Sequence, residues 1–256
     1  MKIGMMNNPS APVVDEVAAI GKAGYDFVDL TMEAPQALEV DTQKLLPLLR
    51  QHALEIVGHT DPCLPYAYPI DRIRRACLQE LERCARIFAD LGAGIMNIHP
   101  CYTCPPAMKR SLVELNIAAL REVVRMAAGN GLTVVLENFR PPFDAIFVFQ
   151  RMLREVPGLK LHLDVGHTHF GRDDAAAFCR HLGEHIAHVH LSDNRSRADD
   201  HMPLGVGSVP WREAVDGLKK TGYDGTITLE VFCGEPAVMF QYLAVSRDFL
   251  RQLWQG

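Results

Sequence analysis

The chain of 256 residues lacks any apolar run near the roughly 18–20 residues that cross a bilayer. Its first residues, Met1-Lys2-Ile3-Gly4, read directly as a strand and lack the apolar core and small-residue cleavage site of a signal peptide. The expectation is a cytoplasmic protein with no membrane partner. Positive charge is not in excess: 26 Lys and Arg stand against 31 Asp and Glu, a formal charge of −5. That balance argues against a nucleic-acid-binding face. The 7 cysteines are odd in number and scattered, so no disulfide framework is expected. There is no Gly-x-Gly-x-x-Gly after the first strand, where Met5-Met6-Asn7-Asn8-Pro9 stands instead, which excludes a dinucleotide-binding open sheet. No linker or low-complexity stretch divides the sequence, so residues 1–256 read as one domain. With 48% hydrophobic and 22% charged residues, wholesale disorder is excluded and one complete core is within reach.

What is present is a repeating grammar. An amphipathic helical stretch ends at a glycine, and a β-branched run follows that closes on a polar residue. Val13 to Lys22 stops at Gly24 and is followed by Phe27-Val28-Asp29-Leu30-Thr31. The helix from Asp71, with Asp71 as its expected N-cap, puts Ile73, Ala76, Cys77, Leu81, Cys84, Ala85 and Phe88 on one face. Gly92 and Gly94 mark its exit, and Ile95 to His99 follows. A helix over about Ala107 to Ala128 leads through Gly129 and Gly131 to Thr133–Glu137. Further strands are expected at Ile3–Asn7, Glu55–His59, Lys160–Asp164, Ile186–His190 and Thr226–Glu230, and a last helix over Pro236 to Leu250. Two junctions, Lys22-Ala23-Gly24-Tyr25-Asp26 and Lys220-Thr221-Gly222-Tyr223-Asp224, are alike. Strict alternation of this kind implies a parallel sheet, and eight βα units in this length favour a closed, single (β/α)8 TIM barrel. The only long irregular connection runs from Ser192 to Val209.

A TIM barrel carries its active site at the C-terminal ends of its strands. Those ends are His59, His99, Glu137, Asp164, His190 and Glu230, separated by 40, 38, 27, 26 and 40 residues. Each gap is about one βα unit, so all six arrive at one rim. A lone His or Glu at a strand end is most often a helix cap or a bonded core residue. Six in register are different, because buried carboxylates and imidazoles need partners and a shared metal ion serves them all. Beyond the strand ends, His167 follows Asp164 by three positions, and Asp199 and His201 lie in the long loop. His188 reads as an interior packing residue. Trp211 and Phe232 are candidate pocket walls. Cys101 and Cys104 form a CxxC without a second pair, which reads as coincidence in a loop.

The segments Leu136-Glu137-Asn138, Leu163-Asp164-Val165-Gly166-His167, Val189-His190-Leu191-Ser192-Asp193 and Leu229-Glu230 resemble the xylose-isomerase-like TIM barrels, over essentially the whole chain. That superfamily holds sugar and sugar-phosphate isomerases and epimerases, hydroxypyruvate isomerase, inosose-processing enzymes, dehydroshikimate dehydratases and endonuclease-IV-type abasic-site nucleases. The resemblance implies that Glu137, Asp164, His190 and Glu230 hold a divalent metal, with the two glutamates also the acid–base pair. It makes His167 a substrate contact, and Arg195 lies near a substrate-binding arginine of several epimerases, one residue out of register. The nuclease pattern is matched too: His59, His99, His167, Asp199 and His201 supply the types needed for further ions.

Three carboxylates and an imidazole suit Mn2+, Zn2+, Co2+ or Mg2+; one ion is favoured, and up to three could be held. The expected activity is a metal-dependent isomerase or epimerase of a sugar, keto-sugar or hydroxy-keto-acid, moving a proton through an enediolate between the two glutamates. The alternatives are a metal-cluster phosphodiesterase on abasic DNA and a dehydratase of dehydroshikimate or inosose type. The acidic charge favours a small carbohydrate or keto-acid over nucleic acid as partner. A homo-oligomer is compatible with the sequence.

Overall fold

The computed structural model describes residues 1–256, apart from the side chains of residues 236 and 237. Eight parallel strands close into a barrel in chain order: β1 Lys2–Met6, β2 Phe27–Met32, β3 Glu55–Thr60, β4 Ile95–Ile98, β5 Thr133–Glu137, β6 Lys160–Asp164, β7 Ile186–Leu191 and β8 Thr226–Leu229. β8 pairs back onto β1, so no strand edge is left free. The helices around it are α1 Val13–Lys22, α2 Thr42–His52, α3 Asp71–Asp90, α4 Leu112–Gly129, α5 Ile146–Glu155, α6 Val165–Phe170, α7 Ala175–Leu182, α8 Trp211–Lys220 and α9 Pro236–Gln255. No helix is long and apolar enough to cross a membrane among the described residues.

The helix stops work as their glycines require. Gly24, Gly92, Gly131 and Gly222 all have φ between 71° and 82°, the left-handed region where a Cβ is penalised. The two similar junctions are therefore the same turn used twice. The helical faces pack inward on the sheet: Cys77, Leu81, Cys84, Ala85 and Phe88 of α3 are buried, and Phe88 lies so close to β3 that a Cβ on Gly58 would meet its ring at 2.4 Å.

Local differences from expectation have local causes. Asp71 is the first residue of α3, in its acid-favouring first turn, and Ile70 takes the cap position. Pro105 and Pro106 start a 3-10 turn, Pro106–Ser111, before α4 begins at Leu112. An extra short helix, α6, starts directly at the end of β6, because Asp164 caps it by accepting the His167 N–H at 2.6 Å. β4 and β8 end one residue early, yet the Glu230 N–H still bonds the Leu191 carbonyl at 3.1 Å and keeps Glu230 in register.

Candidate metal centre at the barrel mouth

β5, β6, β7 and the residue after β8 deliver Glu137, Asp164, His190 and Glu230 to one point. One donor atom from each lies within 4.8 Å of the others, and all four side chains are buried. The helix-cap bond uses only Oδ1 of Asp164; Oδ2 is buried with no hydrogen-bond partner. Burial pushes the Asp164 carboxyl up to about 7, against the pull of His167, and the Glu230, Glu137 and Asp199 carboxylates add to the rise. An orphaned oxygen among crowded carboxylates fits a hard divalent cation, which would neutralise the cluster.

Burial alone would raise the Glu137 carboxyl too. His99 and His162 outweigh it and hold Glu137 well below the usual carboxylate range. Its Oε2 lies 3.1 Å from His99 Nε2 and 3.2 Å from His162 Nδ1, and accepts the Asn97 amide at 3.0 Å. Asn97 also meets His59 Nε2 at 3.0 Å and His162 Nδ1 at 2.8 Å. Because its NH2 must face Glu137, its Oδ1 must accept the His162 N–H, and the amide orientation is determined. Glu230 is lowered as well: burial opposes, and the charges of His190 and His201 prevail. Its Oε2 lies 3.2 Å from His190 Nδ1 and 3.5 Å from His201 Nδ1.

Beneath the mouth the barrel interior is polar where such barrels usually hold Val, Ile and Leu. Asp29, Asn97, His162, His188 and Thr228 are all fully buried. Asp29 Oδ2 gathers three donors: His190 Nε2 at 2.6 Å, Thr228 Oγ1 at 2.8 Å and His188 Nε2 at 3.2 Å. His188 is thus an interior residue, as expected, but a bonded one, its Nδ1 meeting Thr226 Oγ1 at 2.7 Å. Asp29, Asn97 and His162 lie within their strands, outside the strand-end pattern. Their signal is an acid, an amide and an imidazole in mid-strand among apolar neighbours, positions where polar side chains are rarely buried without a partner.

The remaining candidates gather around the same opening. His59, His99 and Glu137 form a second group of donors within 4.8 Å. His59 has its Nε2 on Asn97 and its Nδ1 3.4 Å from Asp29 Oδ1. His167 Nδ1 lies 2.8 Å from the Asn138 carbonyl, and its Nε2 lies 2.9 Å from Asp199 Oδ2. His201 Nε2 approaches the same Asp199 oxygen at 3.3 Å. Burial opposes protonation of both histidines. The Asp164 charge and the Asp199 bond nonetheless push His167 up to about 10, and the Glu230 charge and the Asp199 bond push His201 up to about 9. A cavity of about 420 Å3 opens above the cluster, walled on its apolar side by Phe139, Phe232 and Met239. Phe232 also packs on the His201 ring at 4.6 Å. Trp211 is buried away from the cavity and donates its indole N–H to Asp193 at 2.8 Å. Arg195 is exposed and is not among the cavity-lining residues. Cys101 is buried, Cys104 half-buried, and both are free thiols.

The family pattern described as xylose isomerase-like TIM barrel matches residues 17–253. Fructoselysine 3-epimerase of Escherichia coli O157:H7 is 23% identical over 252 residues, covering 90% of each chain. L-ribulose 3-epimerase of Methylomonas sp. (strain DH-1) is 25% identical over 260 residues, 93% of this chain and 84% of that one. The crystal structure of a D-tagatose 3-epimerase-like protein superposes with a TM-score of 0.88 at 21% identity, covering 100% of this chain and 97% of the other, and so shares the fold.

Proposed function

This chain belongs to the xylose isomerase-like TIM barrel family, and we propose from that premise that it is a divalent-metal-dependent epimerase of uncharged ketoses. The observation that carries the reading is the cluster of Glu137, Asp164, His190 and Glu230, with donors within 4.8 Å and an unpartnered Asp164 oxygen among them. The named relatives, 3-epimerases of fructoselysine and L-ribulose, point to the carbon beside a 2-ketose carbonyl as the reacting centre. A divalent ion held by the four residues would polarise that carbonyl and the neighbouring hydroxyl and stabilise the negative charge that develops on them.

The protein's own part is proton transfer. Glu137 and Glu230 come from strands three steps apart around the barrel and so face a substrate from different sides. One carboxylate removes the proton beside the carbonyl, and the other returns a proton to the opposite face, inverting the centre. Each has an imidazole at hand to exchange protons: His99 lies 3.1 Å from Glu137 and His201 3.5 Å from Glu230. His167, bonded to Asp199, stands at the cavity wall to bind substrate hydroxyls. No Lys or Arg lines the cavity among the described residues, which disfavours a phosphate or carboxylate on the substrate. That lining and the charge of −5 also disfavour an abasic-DNA substrate. His59 Nε2 already meets the Asn97 amide at 3.0 Å, which favours one ion over a cluster.

The test is an assay of metal-stripped and Mn2+-reloaded protein on a panel of ketopentoses and ketohexoses, with an abasic DNA duplex and dehydroshikimate alongside. Inversion at C3 of a ketose, lost on stripping and restored by Mn2+, is expected. Metal-dependent cleavage of the duplex, or loss of water from dehydroshikimate, with every ketose left unchanged would replace this reading.

A further inference from the structure

A carboxylate buried in the middle of a barrel is costly unless hydrogen bonds offset its desolvation. Asp29, on β2, has no exposed surface and lies outside the cavity lining. It is too deep to meet a substrate, yet it sits directly beneath a proposed metal ligand. Its Oδ2 accepts the His190 Nε2–H at 2.6 Å, the tightest contact in the network. The same ring then turns Nδ1 upward, 3.2 Å from Glu230 Oε2 and 4.0 Å from Asp164 Oδ2, among the clustered donors.

We propose that Asp29 is a positioning residue for the metal centre: its carboxylate fixes the His190 ring with Nε2–H pointing down and Nδ1 offered to the ion. The inference rests on the metal reading above and adds a residue to it. Without an acceptor below, the imidazole can rotate about its last side-chain bond and present a carbon where Nδ1 stood. Asp29 is itself held from two further sides. Thr228 Oγ1 donates to it at 2.8 Å, and His188, anchored by Thr226 Oγ1 at 2.7 Å, donates at 3.2 Å. The strands that carry these groups, β2, β7 and β8, meet through β1 in the closed barrel, so the orientation of His190 is tied to the barrel wall. The ring identity of His190 alone does not supply this, because either nitrogen of an imidazole can bind a metal and its partner on the other side decides which one does.

The experiment measures Mn2+ affinity by calorimetry in wild type, Asp29→Asn and Thr228→Val, with folding of each metal-stripped protein checked by circular dichroism. Thr228→Val removes one bond to the same carboxylate without touching His190, so it reports general damage to the buried network. Asp29→Asn should weaken Mn2+ binding about 10- to 100-fold, the usual cost of losing a histidine's outer partner, with Thr228→Val within about twofold of wild type. Equal affinity in wild type and Asp29→Asn, or an equal loss in both variants, overturns the proposal. A wild type that binds no divalent ion overturns the metal reading instead. Nitrogen-15 NMR of zinc-loaded wild type needs no variant. It should find His190 metal-bound through Nδ1 and protonated at Nε2, and binding through Nε2 contradicts the proposal.

Discussion

In the proposed reaction Glu137 and Glu230 would carry the chemistry, each serving twice, as metal ligand and as base. Glu137→Gln and Glu230→Gln keep the shape and lose the charge. Each should lower kcat by at least about 100-fold, the usual contribution of a positioned acid or base, while metal content falls only in part. Steady-state rates on the reloaded variants, with bound metal quantified, check this. Glu137 also depends on Asn97, whose amide it shares with His59 and His162. Asn97→Ala would leave three buried polar groups short of a partner and should cost roughly 2–4 kcal/mol in urea unfolding. The four central side chains were legible in the sequence because each closes a β-branched run at a spacing of about one βα unit. Asp29 and Asn97 were not. A mid-strand polar residue shows its partner only in space, and the partners of Asp29 lie 159–199 residues away.

At the scale of elements, the long connection between β7 and α8 brings Asp199 and His201 to the mouth. Asp193 organises it, accepting N–H groups from Gly205 at 2.8 Å, Val209 at 3.1 Å and the Trp211 indole at 2.8 Å. The loop also closes tightly at Gly207, where a Cβ would stand 2.3 Å from both the Asn194 carbonyl and Asp193 Oδ1. Gly207→Ala must therefore push the loop away, and it should raise KM for the ketose several-fold while leaving Mn2+ affinity within about twofold, since no residue of the central cluster sits on that loop. The βα alternation, the glycine stops and the length of this loop could all be read from the sequence, because local periodicity and turn chemistry encode them. The extra short helix α6 could not, because the Asp164 signal for a cap is the same as its signal for a ligand.

For the whole molecule, the charge gathered at the mouth links stability to pH and to metal. His167 and His201 rise from 6.5 to about 10 and about 9 in the folded protein. The folded state therefore holds more protons than the unfolded chain from about pH 6.5 upward, so stability falls as pH rises through that window. Asp164, up at about 7 from 3.8, adds a fall of the same sign at lower pH. The melting temperature of metal-stripped protein should thus drop between pH 6.5 and 9; a flat or rising profile speaks against these protonation states. A divalent ion that binds only the folded barrel should stabilise it by about 2.7 kcal/mol at a hundred times its Kd.

The central claim, proton transfer by two glutamates across a metal-held ketose, is tested most directly by running the Mn2+-loaded enzyme in deuterated water. Proton NMR of the epimerised product should show solvent deuterium at the inverted carbon beside the carbonyl, and none in product formed by Glu137→Gln or Glu230→Gln beyond their residual turnover. Inversion of that carbon with its original hydrogen retained, or deuterium placed at any other carbon, would contradict the account.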